Sequence, residues 1–154
     1  MDPLELPEII KRGESSRVQF KERMPHPDSL THELIAFSNS KGGIIIFGIN
    51  DKTGELNGLS FSEIQYINQQ IVNIASQKVY PPVYLTTETV TIDDNQLLVV
   101  DIEEGLSKPY KDSNCTIFLK TVPIKERSLP MMRLQDYWAA KTCLPRKWKY
   151  TMLV

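Results

Sequence analysis

The chain has 154 residues, of which 41% are hydrophobic and 24% charged, and its net charge is −1. These values describe an ordinary soluble domain that can bury a core without disulfides, and they exclude a chain that is basic throughout. No apolar run approaches the ~20 residues that span a membrane. Residues 1–14 lack the basic head and apolar centre of a secretory signal, and Cys115 and Cys143 have no metal-ligand spacing. We therefore expect a cytoplasmic protein with no membrane partner.

Charge is distributed unevenly along the chain. Residues 1–104 hold 8 Lys and Arg against 16 Asp and Glu, a net −8, whereas residues 105–154 hold 10 against 3, a net +7. A basic C-terminal third favours an anionic partner. The alternative is that folding brings the two parts together and their charges cancel, because only cations clustered in space create a strong positive field.

The first half of the chain alternates helix and strand signals. Residues 4–13 predict a short helix, and residues 17–21 (RVQFK) alternate apolar and polar side chains as a strand does. Asp28 is placed to cap a helix over residues 29–40. Residues 44–49 are apolar without alternation, which predicts a central strand covered on both faces.

Two glycines separate that second helix from the central strand. Gly42 and Gly43 can adopt the left-handed backbone conformation and so end the helix. In a functional interpretation, Asn39 and the two glycines let a phosphate or a partner backbone approach the turn closely. In a structural interpretation, the glycines serve a tight strand entry and Asn39 satisfies loop amides.

The second half is predicted to contain a long helix, a hairpin, one more strand and a closing helix. The long helix begins at Ser60 and Glu63, which have the spacing of a capping box. Asp93 and Asp94 mark the turn of the hairpin. The predicted elements are a helix over 60–78, strands over 83–92, 96–103 and 116–121, and a helix over 128–138.

This order of elements predicts an α+β protein with a single domain, built on a mixed β-sheet of about five strands flanked by helices. We expect the domain to span residues 1–140 and residues 141–154 to form a basic, aromatic tail. Trp148 or Tyr150 in this tail could stack on an unpaired base, or one of them could simply pack against the fold.

Signatures of catalysis are sparse. The chain has neither the GxxxxGK[ST] phosphate loop nor the GxGxxG dinucleotide fingerprint. The two histidines, His26 and His32, flank Pro27 and are poorly placed to share a metal, which needs several convergent ligands. We expect no cofactor and no resident metal ion.

One set of carboxylates leaves an alternative open. Glu14, Glu22 and Asp51 would approach one another if the first two predicted strands were neighbours. Paired carboxylates can hold a divalent ion that activates water for phosphodiester cleavage. The structural alternative is that they are solvated charges at strand ends.

Three sequence blocks resemble a known family. They are ESSRVQFKE, ELIAFSNSKGGIIIFGINDKTGELNG and KPYKDSNCTIFLKTV. In this order and spacing they are similar to the Schlafen-type AlbA-like domain, a DNA-binding domain of bacterial transcriptional regulators in a divergent-AAA-linked family. The middle block is the specific one, since it joins AF-x-N-x-x-GG, an apolar strand, G-[IV]-x-D and G-x-[IL]-x-G. The resemblance covers roughly residues 8–135 and implies an α/β domain that binds DNA in bacterial members and RNA in animal relatives.

The resemblance also implies a nuclease alternative. Some animal relatives are endoribonucleases that use three acidic residues, which correspond here to Glu14, Gln19 and Asp51. Gln19 is a neutral amide, so cation affinity and water activation should both be lower. An arginine that the family presents on its last strand is replaced by Lys120, which keeps the charge but loses the bidentate fork.

The main hypothesis is a non-enzymatic nucleic-acid-binding domain of a transcriptional regulator, with DNA as the expected partner and RNA as the alternative. Lysine–phosphate contacts release counterions, so binding should weaken steeply with salt. The rival hypotheses are a metal-dependent Schlafen-type endoribonuclease using Glu14 and Asp51, and a protein-interaction module or homo-oligomer. The predicted contacts are Lys108, Lys111, Lys120, Lys125 and Arg127, with possible backbone contact at Asn39, Gly42 and Gly43.

Overall fold

The structure, a computed structural model, describes residues 5–120 and 150–153. Three helices and six strands lie in these ranges and form the α+β fold that the sequence predicts. The closing helix predicted over residues 128–138 lies outside the described residues. The elements are α1 (Leu6–Arg12), β1 (Val18–Lys21), α2 (Pro27–Asn39), β2 (Gly43–Phe47), α3 (Phe61–Gln77), β3 (Leu85–Ile92), β4 (Asn95–Ile102), β5 (Ile117–Lys120) and β6 (Tyr150–Leu153).

Four of the strands form one mixed sheet in the order β1-β2-β4-β3. β1 runs parallel to β2, with Phe20 opposite Ile46, so the prediction that these strands are neighbours is confirmed. β4 runs antiparallel to both β2 and β3. The edges of the sheet are therefore β1 and β3.

Both faces of the central strands are buried, which confirms the prediction from the unbroken apolar run. On one face, Ile45 and Phe47 pack into the larger core with residues of α2 and α3. On the other, Ile46 packs with Phe20 and with Leu6 of α1 in a smaller core. Because strand side chains alternate between faces, β2 must be apolar throughout to satisfy both cores.

β5 was expected to extend the sheet, but it pairs with β6 in a separate two-stranded sheet. The reason lies in its contacts with α2. The side-chain amide of Asn39 donates to the carbonyl of Phe118 at 3.1 Å, and the His32 ring stacks on the Phe118 ring with centroids 3.9 Å apart. These contacts hold β5 beside the helix instead of at a strand edge.

The capping box and the hairpin are both confirmed. Ser60 Oγ accepts from the Glu63 backbone N–H, and Glu63 Oε2 accepts from the Ser60 N–H at 2.8 Å. In the hairpin, Asp93 and Asp94 have φ angles of 47° and 62°, which match a two-residue type I′ turn. The buried face of α3 is lined by Ile64, Ile67, Ile71 and Ile74.

The start of α2 differs from the prediction. The helix begins at Pro27, its N-cap is His26, and Asp28 lies inside the first turn. His26 Nδ1 accepts from the Asp28 N–H at 3.3 Å. Proline suits the first helical position because its ring presets φ and it has no N–H to leave unsatisfied. Among the described residues, no helix is both long and apolar enough to cross a bilayer.

Candidate nucleic-acid interface

The turn after α2 is shaped by close packing. Gly42 has φ = +71°, and a Cβ placed on it would lie 2.5 Å from the Ile102 carbonyl oxygen. A Cβ on Gly43 would overlap the ring of Phe37. Both glycines are thus required by the strand entry itself, whichever partner approaches from outside.

Asn39 is buried and makes three hydrogen bonds to distant backbone. Its Nδ2 donates to the Tyr110 carbonyl at 2.8 Å and to the Phe118 carbonyl, while its Oδ1 accepts from the Tyr110 N–H at 2.7 Å. Its exposed fraction is only 6%. The structure therefore places Asn39 as a link between α2 and the segment leading into β5.

Ser40, the next residue, lies between two of the predicted cationic contacts. Its carbonyl oxygen accepts from Lys108 Nζ at 2.8 Å, and its hydroxyl accepts from the Lys120 backbone N–H at 3.3 Å. Lys108 Nζ also donates to Glu104 Oε1 at 2.6 Å. The charge of Lys108 is thus shared with a carboxylate and with the C-terminal end of a helix, where cations are favoured.

Glu104 is surrounded by cations. Its pKa is lowered mainly by the hydrogen bond from Lys108, and further by the charges of Lys108, Lys41 and Arg17. Arg17 and Lys41 are exposed, and their side chains form no hydrogen bond or ion pair with any other described residue. Three cations therefore meet one exposed carboxylate at this end of the sheet.

Lys120 lies at the same corner but is half-buried. Its Nζ is 4.7 Å from the centroid of the Phe37 ring. Burial lowers the pKa of Lys120, and the nearby charges of Glu33, Lys21 and Glu14 act on it in opposing directions. Lys108 and Lys120 contact Ser40, Lys41 follows it in the chain, and Arg17 acts with Lys41 and Lys108 on Glu104; we call these four cations the Ser40 cluster.

A buried ion pair lies beside the Ser40 cluster. Lys21 Nζ is 2.7 Å from Glu33 Oε1, and the Glu33 side chain is only 10% exposed. Two acceptors, Glu33 Oε2 and Gln19 Oε1, are buried without a hydrogen-bond partner among the described residues. Gln19 and Lys21 extend from the same face of β1, since side chains two residues apart in a strand share a face.

The carboxylates of the nuclease alternative have separate contacts. Glu14 Oε1 accepts from the Phe20 N–H at 2.8 Å, on the outer edge of β1. Glu22 accepts from the side-chain amides of Asn50 and Asn57 at 3.1 and 3.0 Å, and Asp51 is exposed in the following loop. Within the described residues, no three His, Cys, Asp or Glu side chains are grouped so that they could hold a metal ion.

The sequence-predicted contacts are thus only partly brought together. Lys108 and Lys120 meet at Ser40, whereas Lys111 exchanges backbone hydrogen bonds with Tyr80. Lys125 and Arg127 lie outside the described residues.

Arg17 and Lys41 were missed by the sequence analysis because both belong to the acidic first two-thirds of the chain. The sequence placed Lys41 directly before the Gly42-Gly43 turn, and this position was the one available signal. The place of Arg17 beside β2 is visible only in the structure, where its carbonyl accepts from the Ile44 N–H at 2.7 Å.

A family model now identifies the domain. The model described as "Schlafen, AlbA_2" matches residues 14–128, which is most of the chain. The chain belongs to the Schlafen AlbA_2 family. The whole Ser40 cluster, Glu14 and Asp51 all lie in the part that matches this Schlafen domain. A comparison with curated proteins finds no match.

Among the solved structures that resemble this Schlafen domain, two illustrate the likeness. One is the N-terminal domain of a Nitrosomonas europaea protein described as related to the ATP-dependent DNA helicase RecG. It has a TM-score of 0.57 and 17% identity, and the match covers 83% of this chain and 91% of that one. The other is the DIP2311 protein of Corynebacterium diphtheriae, with a TM-score of 0.51 and 19% identity. That match covers 77% of this chain but only 25% of DIP2311. At such identities the likeness shows a shared fold.

Proposed function

We propose that this Schlafen AlbA_2 domain binds nucleic acid, with DNA as the expected partner, and that the Ser40 cluster contacts the phosphate backbone. One observation carries the proposal: Arg17 and Lys41 are exposed without an ion-pair partner among the described residues, and Lys108 adjoins them. Family membership supports it, as does a structural relative described as related to a DNA helicase. A role in transcriptional regulation rests on the family resemblance and is part of the same proposal.

The chemistry of the Ser40 cluster suits contact with a phosphate backbone. Lysines reach phosphate oxygens as point charges, and Arg17 adds a planar fork that can bind two oxygens at once. Lys120 is half-buried and has a lowered pKa, so it serves less well as a free charge than Arg17 or Lys41 do. Such contacts position a duplex without reading its bases.

The experiment is a fluorescence-anisotropy titration of a labelled duplex at several salt concentrations. The double variant Arg17→Ala/Lys41→Ala should bind at least ~10-fold more weakly at low salt, and its plot of log affinity against log salt should lose a slope of about 2, one for each phosphate contact. Lys52→Ala is the matched control, because Lys52 is exposed in the loop beyond the other end of β2.

Equal affinities for the double variant and the parent would reject the Ser40 cluster as the interface. A parent protein that binds no duplex and no single-stranded RNA would reject nucleic-acid binding altogether. Lys125→Ala/Arg127→Ala tests, in the same assay, the two predicted contacts that lie outside the described residues. If affinity for the duplex fell only in the Lys125→Ala/Arg127→Ala variant, the interface would lie in the residues that follow β5.

A further inference from the structure

Among the described residues, β3 is an edge strand with little of the usual protection. Within the described residues it pairs only with β4, along all eight of its residues. Natural edge strands are commonly protected by charged side chains, above all lysine, or by proline, a bulge or a covering segment, because their unpaired backbone groups can accept another strand. β3 reads LTTETVTI, with Glu88 as its one charged residue and neither lysine nor proline, and its register with β4 is uninterrupted.

The register shows which backbone groups of β3 face outward. The turn at Asp93 and Asp94 makes Ile92 and Asn95 the first hydrogen-bonded pair of the hairpin. Hydrogen-bonded pairs alternate along an antiparallel ladder, so the even-numbered residues of β3 bond to β4. The odd-numbered residues, Leu85, Thr87, Thr89 and Thr91, direct their N–H and C=O groups away from the sheet.

The chain segment that contains this edge strand has few charged residues, although Asp93 and Asp94 follow it directly in the turn. Residues 64–92, which comprise most of α3 and all of β3, contain two charged residues, Lys78 and Glu88, in a protein that is 24% charged. Exposed apolar or aromatic side chains in this stretch include Tyr66, Val72 and Tyr84, the last 84% exposed. Depletion of charge with exposed aromatic residues is typical of a protein interface, and it gives a polyanion nothing to bind.

We infer that β3 pairs antiparallel with β3 of a second copy of this chain. Identical strands can pair side by side about a two-fold axis perpendicular to the sheet, which makes the contact self-complementary. Directly opposite side chains lie on the same face of a sheet. The axis must therefore pass midway between the two copies of one residue, which then lie opposite each other. An axis at Glu88 would set two carboxylates directly opposite each other, which is destabilising.

An axis at Thr89 avoids this repulsion. It sets Thr89 opposite its own copy, Thr87 opposite Thr91 and Glu88 opposite Val90. The outward backbone groups of the odd-numbered residues then form the hydrogen-bonded pairs, and threonine pairs across strands are favourable. The dimer contains one continuous sheet of eight strands with β1 at both ends. No residue of the Ser40 cluster belongs to β3, so this inference does not rest on the proposed function.

The first test measures mass against concentration by analytical ultracentrifugation of the protein without nucleic acid. The parent should be dimeric at high concentration. Thr89→Lys, which sets two ammonium groups against each other at the axis, should raise the dimer dissociation constant at least ~10-fold. Thr53→Lys is the matched control on an exposed loop and should leave the constant unchanged. Circular dichroism checks that both variants are folded.

The second test is amide hydrogen exchange. The N–H groups of Thr87, Thr89 and Thr91 should become protected as concentration rises, whereas those of Thr86 and Glu88 should be protected at every concentration. A parent that stays monomeric, or a Thr89→Lys variant that dimerises as well as the parent, would overturn the inference. So would protection of the odd-numbered amides at every concentration, since a segment of the same chain would then cover β3.

Discussion

At the scale of single residues, Asn39 at the end of α2 is a structural link, one of the two roles that the sequence left open. Sequence alone allowed either a contact for a partner or a structural link. The three hydrogen bonds to Tyr110 and Phe118 show that Asn39 holds the entry to β5 against α2. Lys120, and with it one side of the Ser40 cluster, is positioned through this link, because β5 ends at Lys120.

Asn39→Ala should lower the free energy of unfolding by about 2–4 kcal/mol, because three buried backbone groups would lose their partners. Urea denaturation measures the change. Asn73→Ala is the control, since Asn73 is exposed on α3 and should change stability by less than ~0.5 kcal/mol. A loss under ~1 kcal/mol together with lost DNA binding would instead make Asn39 a contact residue.

At the scale of elements, α3 begins with the capping box that its local sequence predicts. Its first turn is closed by Ser60 and Glu63, and the hydrogen bonds from the backbone and hydroxyl of Ser60, aided by Arg23, lower the pKa of Glu63. Arg23 Nη1 lies 2.6 Å from Glu63 Oε1 and so joins the loop after β1 to the start of α3. A capping box is encoded within four residues, which is why sequence predicted it.

Ser60→Ala should cost about 1 kcal/mol of stability through loss of the cap.

Glu63→Gln should also destabilise, and its effect should depend on pH. A carboxyl group whose pKa is lowered by folding stabilises the protein above its unfolded pKa, and this contribution is lost as pH falls through the folded value. Thermal melts of parent and Glu63→Gln should therefore differ at pH 7 and converge in acid. A difference that is constant with pH would contradict this assignment.

At the scale of the whole molecule, charge is organised by space and not by chain position. The first 104 residues carry a net −8, yet they supply Arg17 and Lys41, the most exposed cations of the Ser40 cluster. In turn, Lys108 from the basic part is paired with Glu104. Lys108 therefore shows local cancellation of a charge from the basic part of the chain, whereas the local excess at Lys41 comes from the acidic part.

Glu104→Gln should strengthen binding to duplex DNA by about 3–10-fold at low salt, because it removes an anion from the middle of the Ser40 cluster and frees Lys108. Glu55→Gln, in the loop after β2, is the control and should have little effect. Anisotropy at two salt concentrations measures both, and the gain should shrink as salt rises. Weaker binding by Glu104→Gln would mean that Glu104 orders Lys108 for contact.

By itself, the sequence determined most of the elements between residues 5 and 120. The capping box of α3, the glycine turn, the hairpin signal and the apolar run of β2 are encoded in neighbouring residues, so they identify helices and strands and, together, the Schlafen-type fold. Tertiary structure alone decided three further features: the separation of β5 from the main sheet, the contact of Lys108 with Ser40, and the convergence of Arg17 and Lys41 on Glu104. These depend on contacts between residues far apart in the chain, and the energy of such contacts is set by distance and burial in the folded protein.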